Sequence, residues 1–333
     1  VRTLSSEFEF TVYCSSKAYS RKLPEIYGAK LKYIPLRANG IQSIPYDIWS
    51  ILSALKSADV LLILGVGGCI VLPFLKLFGC RKKLIVNIDG LEWRRSKWNP
   101  PVKSFLKFSE RTAVRFCDHV IGDNKVISDY VEQEYHHSCS LIEYGADHQE
   151  PQKISAASLA AYPFLSHAYA FGVCRIEPEN NVHLVLRAFA DPSCSLPLVM
   201  VGNWSKGAYG QKLYETYRGH GNIHLLDPVY DQKKLNELRS NCILYIHGHS
   251  CGGTNPSLIE AMHLGLPVAA FDVNFNQETT EYKALYFASS EELLRIIGEK
   301  RVTEWRKIGD AMREIAGRRY TWKRIGQCYA ELF

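Results

Sequence analysis

The stretch that decides the fold runs from Cys242 to Asp272, "CILYIHGHSCGGTNPSLIEAMHLGLPVAAFD". An apolar run, Cys242 to Gly248, reads as a buried strand. It breaks at Gly252 and Gly253, and a helix opens at Asn255 and Pro256. Asn is a good helix N-cap, and Pro suits the first helical position. "PVAAFDV" then reads as the next strand. Strand, glycine turn, helix, strand is the signature of a parallel sheet wound by helices. The helix start also leaves unpaired amides and positive dipole potential beside glycines that let a ligand approach the backbone. Together these form an anion site suited to a phosphate or diphosphate. Glu260, about one turn in, suits the sugar hydroxyls of a nucleotide, which donate hydrogen bonds to a carboxylate. A lone Gly-Gly pair serves a plain tight turn equally well, with Glu260 a solvated helix residue.

Working outward, the same alternation fills the chain. "AYAFGV", "PLVMVG", "IHLLD" and "ALYFAS" read as strands, with helices between and after them. Towards the N-terminus, "FEFTVYCS", "DVLLILG", "KLIVNIDG" and "HVIGD" form a second series. The run "ADVLLILGVGGCIVLPFLKLFG" is long and apolar, but Gly65, Gly67, Gly68 and Pro73 interrupt it. It reads as strand, turn and helix rather than a membrane span. At about 150 residues per domain, 333 residues make about two domains. The boundaries expected are 1–160 for the first domain, 161–315 for the second, and 316–333 for a C-terminal helix packing back on the first. Residues 148–167, polar and small, read as the linker.

The net charge of +6 is mild and spread out, which argues against nucleic acid. None of the ten cysteines forms a C-x-x-C pair, so buried reduced thiols in a cytoplasmic protein are expected, with no metal site.

Ligands of such sheets lie at the carboxyl ends of strands. One end is "FGVCRIEPENN", carrying Arg175, whose planar fork suits phosphate oxygens; an ion pair with Glu177 or Glu179 is its plainer role. Another is "NIDGLEWRRSKW", residues 87–98, where Asp89 suits a sugar hydroxyl and Glu92, Trp93, Arg94 and Lys97 suit a sugar surface; a charged loop with packed tryptophans is the alternative. In the helix that follows, Lys103, Lys107, Arg111 and Arg115 recur at i+4 as one basic stripe. It suits anionic headgroups or a lipid diphosphate acceptor at the inner face of a membrane, or is an ordinary solvated face.

"FGVCRIEPENN" with "RAF", "VGNWS" and "GGTNPSLIEAMHLGLPVAA" resemble the donor-binding half of the two-domain retaining nucleotide-sugar glycosyltransferases (family 4-like). "NIDGLEWRRSKW", "YGAD" and "HGHSCGGTNPSLIEAM" resemble, more narrowly, its bacterial rhamnosyltransferase-like branch, which builds surface polysaccharides. The resemblance implies two facing Rossmann-like doubly wound domains of GT-B type with a C-terminal helical tail. It implies a hexosyltransferase acting from a nucleoside-diphosphate sugar, rhamnose in the narrower branch, on a glycan or lipid-linked acceptor, with no cofactor and no metal. Arg175 and Asp89 would be catalytic. Gly252, Gly253, Thr254, Asn255, Glu260 and Asn181 would bind the donor, with Val229 and Tyr230 near its base.

The sequence departs from the family at three points. The usual glutamate eight positions before Glu260 is Gly252. The usual lysine after the arginine is replaced by Asn180 and Asn181. The chain begins after the family's first strand and glycine-rich loop, so weak transfer is expected from this form. An epimerase of the same architecture and a non-catalytic nucleotide-sugar-binding protein are the alternatives. A nicotinamide dehydrogenase is disfavoured, because "LGVGGC" lacks the third glycine of G-x-G-x-x-G.

Overall fold

A computed structural model describes residues 1–95, 98–299 and 302–333. The chain divides into two compact units, Val1–Glu143 with Trp322–Phe333, and Tyr144–Thr321.

The first unit holds β1 (Thr11–Ser15), β2 (Glu25–Ile26), β3 (Ala29–Ile34), β4 (Val60–Leu64), β5 (Lys83–Asn87), β6 (His119–Gly122) and β7 (Ser140–Leu141). Its helices are α1 (Ser43–Ala54), α2 (Leu72–Leu77), α3 (Pro100–Phe116) and α4 (Lys125–Tyr135). The strands form two sheets, β1-β3-β2 and an all-parallel β4-β5-β6-β7. The continuous apolar runs of β5 and β6 are buried on both faces, as parallel strands covered by helices require.

The second unit begins with α5 (Ala156–Ala161) and continues β8 (Ala170–Val173), α6 (Val182–Phe189), β9 (Leu198–Val201), α7 (Ala208–Tyr217), β10 (Ile223–Leu226) and α8 (Gln232–Ser240). Then come β11 (Leu244–His247), α9 (Pro256–His263), β12 (Val268–Phe271), α10 (Asn274–Thr279), β13 (Leu285–Phe287), α11 (Ser290–Gly298) and α12 (Val302–Arg319). The six strands are parallel in the order β10-β9-β8-β11-β12-β13. Alternate residues of each strand feed two cores. Phe171, Val199, Tyr245 and Val268 lie in one, Ala170, Leu198, Leu244 and Ala269 in the other. Strand order reverses between β8 and β11, and such a reversal opens a crevice at their carboxyl ends.

The boundary falls between Glu143 and Tyr144, not at residue 160. The segment read as a linker belongs to the second unit. Tyr144, Ile154, Tyr162 and Phe164 pack on its core. Ser155 donates to Glu237 through its amide and hydroxyl (3.2 and 2.9 Å), and the Gln152 amide donates to Ser240 Oγ. The small polar residues are thus helix caps and hydrogen-bonding anchors. At the other end, α12 stays with the second unit. The helix α13 (Trp322–Leu332) belongs to the first, where Ile325 joins Ile85, Ile121 and Ile142 and Phe333 meets Phe8 edge-on.

Candidate functional site

At the reversal point of the second unit, the loops after β8 and β11 are laced together. Asn181 takes a left-handed backbone (φ 49°), and its side-chain amide donates to the Gly248 carbonyl at 3.0 Å. A Cβ at Gly248 would fall 2.3 Å from the Asn180 carbonyl oxygen, so only glycine lets the loops meet. Ser250 donates twice to the Glu179 carbonyl, at 2.9 Å from its amide and 2.8 Å from its hydroxyl. Asn180 Nδ2 donates to the Arg175 carbonyl at 2.6 Å. The structure therefore ties the loop that carries Arg175 and Asn181 to residues 248–250, the start of the loop that leads to 252–255, across strands about seventy residues apart in sequence. The two asparagines tie this loop pair, which gives the "ENN" sequence a structural role in place of a second cation. The Arg175 side chain is 58% exposed, and Nη1 lies 3.8 Å from Glu177. Lys206, from the loop after β9, approaches the same glutamate at 3.8 Å; sequence reading did not single it out.

The start of α9 is built as its residues dictate. Asn255 Oδ1 accepts from the Ser257 amide (3.1 Å) and hydroxyl (2.8 Å), and Pro256 takes the first turn. Gly252 holds φ +120°, with open space where a side chain would point. Thr254 is buried. Val229 and Tyr230 follow β10, two strands from β8. Val229 is partly buried on the core, and Tyr230 is 85% exposed.

Glu260 is not a solvated helix residue. Its side chain is only 20% exposed, and both oxygens are held. Oε2 accepts from Arg239 Nη1 at 2.5 Å and Oε1 from Gln149 Nε2 at 2.9 Å. Arg239, fully buried, also donates to Gln149 Oε1 (3.2 Å) and Asn236 Oδ1 (2.8 Å). Asn236 donates to Gln149 Oε1 at 2.8 Å, and His148 Nε2 stands 3.8 Å from Glu260. A carboxylate has about four lone-pair positions, so this network fixes Glu260 and leaves acceptor capacity for hydroxyl groups.

His247 ends β11 just before the glycine loop. It is fully buried, neither ring nitrogen has a hydrogen-bond partner, and it stacks on His249 with centroids 4.3 Å apart. Burial holds its pKa well below the ordinary 6.5, so the ring is neutral at physiological pH.

In the first unit, Asp89 follows β5 with a left-handed backbone (φ 56°); its amide donates to Asn87 Oδ1, and its side chain is exposed. Trp93 and Glu92 are held inward instead. Trp93 Nε1 donates to buried Glu110 at 3.1 Å, Trp98 Nε1 to Glu92 at 3.1 Å, and Arg95 pairs with Glu92 at 2.8 Å. Glu110 also accepts from the Tyr130 and Tyr135 hydroxyls, each at 2.6 Å. Arg94 lies over Trp93 and Tyr130. The tryptophans thus anchor this loop, as the plainer reading had it. Lys97 lies outside the described residues.

Lys107 leaves the basic stripe. It sits among Trp93, Tyr130 and Tyr135, 4.7 to 5.0 Å from their ring centres, and pairs with Glu134 at 3.0 Å. Asp47 on α1, absent from the sequence-based set, packs against Gly67 and Gly68 after β4. Desolvation pushes its pKa up to about 7.

Comparison with known proteins fits this geometry. Residues 166–288 match the family described as "Glycosyl transferases group 1", and residues 3–147 match a "Domain of unknown function (DUF1972)". No curated protein sequence matches. Among solved structures, sucrose-phosphate synthase from Thermosynechococcus elongatus superposes with a TM-score of 0.80 at 15% identity, covering 100% of this chain and 91% of that one. HepE of Anabaena, in complex with UDP-glucose, gives 0.69 at 17%, covering 92% and 86%. A glycosyltransferase from Rickettsia africae gives 0.70 at 13%, covering 92% and 84%. At these identities the likeness establishes the fold, which is the GT-B fold. The match over residues 166–288 spans Arg175 and the helix α9 that carries Glu260, and the chain is a transferase with this resemblance to glycosyl transferases group 1.

Proposed function

We propose that the chain transfers a hexosyl group from a nucleoside-diphosphate sugar to a glycan or lipid-linked acceptor, with retention, in surface polysaccharide synthesis in the cytoplasm. Rhamnose is the sugar the sequence resemblance favours. One observation supports the reading: at the reversal point of the sheet the loops after β8 and β11 are tied together, the first carrying Arg175 and the second leading into α9, where Glu260 is a fixed carboxylate one turn in. Arg175 and the amides of Gly253 to Asn255 receive the diphosphate, and Glu260 the ribose hydroxyls. As the glycosidic bond breaks, negative charge grows on the diphosphate, and preorganised donors there stabilise the transition state. Asp89 is the residue assigned to hydrogen-bond the transferred sugar or the incoming hydroxyl. HepE, solved with UDP and with UDP-glucose, supports a nucleotide-sugar donor.

The test is a thermal-shift series with UDP, GDP, dTDP and their sugars, followed by product analysis. A ligand at a hundred times its Kd stabilises the native state by about 2.7 kcal/mol. One base should raise the midpoint selectively, and sugar should appear on the acceptor only when both substrates are present. Turnover of donor alone into an epimer would favour the epimerase. Binding without any turnover, in a form carrying every upstream segment, would favour a binding protein.

A further inference from the structure

The helix α2 is turned inside out. In a surface helix the apolar face looks to the core. Here Phe74 and Leu77 at i and i+3, with Phe78 at the C-cap, are 60%, 78% and 84% exposed, while Leu72 is fully buried. Exposed apolar residues scattered singly are ordinary; three large ones on one short face are a patch. No helix among the described residues is long and apolar enough to cross a membrane, so the patch is not part of a span.

Cations surround it. Arg81 is exposed directly after the patch, and Lys82 follows. Lys76 pairs with Asp118 at 2.9 Å, which ties α2 to the C-terminal end of α3. That end presents Arg115 and, one turn earlier, Arg111, both exposed, with Phe108 also exposed on α3. The nearby acidic groups Asp118 and Asp59 pair with Lys76 and Lys82. Apolar side chains beside exposed arginines, which make no ion pair among the described residues, match an anionic lipid surface, where acyl chains receive the former and headgroups the latter.

We propose that the exposed face of α2, with Arg81, Arg111 and Arg115, docks the first unit onto an anionic lipid bilayer. The surface shares Arg111 and Arg115 with the basic stripe but takes its apolar contact from the end of α2 and does not use Lys107, which is held among aromatic rings, and it stands whether or not the donor assignment holds. Insertion would bury Leu77 and Phe78, each changing the partition coefficient by roughly tenfold or more.

The test is co-sedimentation with phosphatidylcholine vesicles, with and without phosphatidylglycerol. Wild type should pellet with the anionic vesicles. The double variant Leu77→Ser/Phe78→Ser should lose roughly a hundredfold in partitioning, and Arg111→Gln/Arg115→Gln should lose the preference for phosphatidylglycerol. All the substituted side chains are exposed, so circular dichroism and nucleotide-induced thermal shifts should match wild type. Wild-type protein that stays in the supernatant, or variants that bind as wild type does, would overturn the proposal. So would concentration-dependent dimerisation abolished by Leu77→Ser/Phe78→Ser without vesicle binding, which would mean that a second copy covers the face.

Discussion

If the proposed donor assignment holds, Glu260 and Arg175 touch different parts of the donor, and kinetics should separate them. The ribose does not change during transfer. Glu260→Ala should therefore raise the donor KM with kcat nearly kept, the mark of lost uniform binding. The diphosphate gains charge, so Arg175→Ala should lower kcat by roughly 30- to 1000-fold, as loss of one oxyanion donor does. Arg175→Lys should recover part of it, a point charge replacing a fork. The reverse pattern, measured in a form with any upstream segment, would place the nucleotide differently. Arg239 adds a third case. It is buried, and its guanidinium faces Glu260, Gln149 and Asn236. Removing one partner of a buried pair costs about 3–5 kcal/mol. Arg239→Met should lower the unfolding midpoint and also raise the donor KM, because Glu260 loses the donor that fixes its carboxylate. Arg239→Lys should restore much of the affinity; a stability loss with unchanged KM would make the arginine purely structural. Glu260 and Arg175 could be singled out as candidates because each sits in a short motif. Arg239, Gln149 and Asn236 were not, because the contacts that give them meaning span up to 111 residues.

At the scale of elements, the loop before α9 shows what local chemistry reveals. Asn255 and Pro256 announced a helix start, and the cap is made as expected. The pair of glycines left open which residue carries the unusual backbone; Gly252 takes φ +120°. Gly252→Val should cost strain on the order of 1–3 kcal/mol, because a β-branched residue resists that region, while meeting no neighbour. If the loop receives the diphosphate, nucleotide affinity should fall at least tenfold, and isothermal titration of the folded variant would show it. Unchanged affinity would remove the loop from the site. The 87–98 loop teaches the opposite lesson. Its charged and aromatic residues read as a sugar surface, yet Trp93 and Glu92 bond inward to Glu110, Trp98 and Arg95. A tryptophan's partner on another helix leaves no mark near it in sequence. Likewise "DQKKLNELRSN" reads as a polar helix, although Asn236, Glu237 and Arg239 all face inward.

Over the whole molecule, alternation of strands and helices was enough to expect two wound units, because a parallel strand must be followed by a crossover. The boundary was not legible, since "HQEPQKISAASLAAYPFLSH" has a linker's composition, and long-range bonds to Ser240 and Glu237 and the packing of Ile154, Tyr162 and Phe164 make it part of a core. Each unit also carries a displaced titration, and the two have opposite signs. Asp47 in the first unit has its folded pKa raised from 3.8 to about 7. Its favourable contribution is full at low pH and is lost as pH rises through about 7. His247 in the second unit has its folded pKa well below 6.5, so the unfolded chain binds the extra proton. Its contribution is full above 6.5 and is lost as pH falls below that value, with His183 and His224 shifted the same way by burial. Lowered carboxylates such as Asp118 and Glu281 act at lower pH, below their ordinary 3.8 and 4.5. Between 3.8 and about 7 the two therefore oppose each other, Asp47 lowering the unfolding midpoint and His247 raising it as pH rises, and calorimetry of one variant isolates each. Asp47→Asn should make the midpoint rise more steeply with pH in that window, because an amide carries no charge to desolvate. His247→Phe should make it rise less steeply or fall there, because a ring of similar shape remains on His249 without a site to protonate. If Asp47→Asn leaves the pH dependence between 3.8 and about 7 unchanged, the carboxyl is ionised in the folded protein across that window, and its packing against Gly67 and Gly68 does not desolvate it.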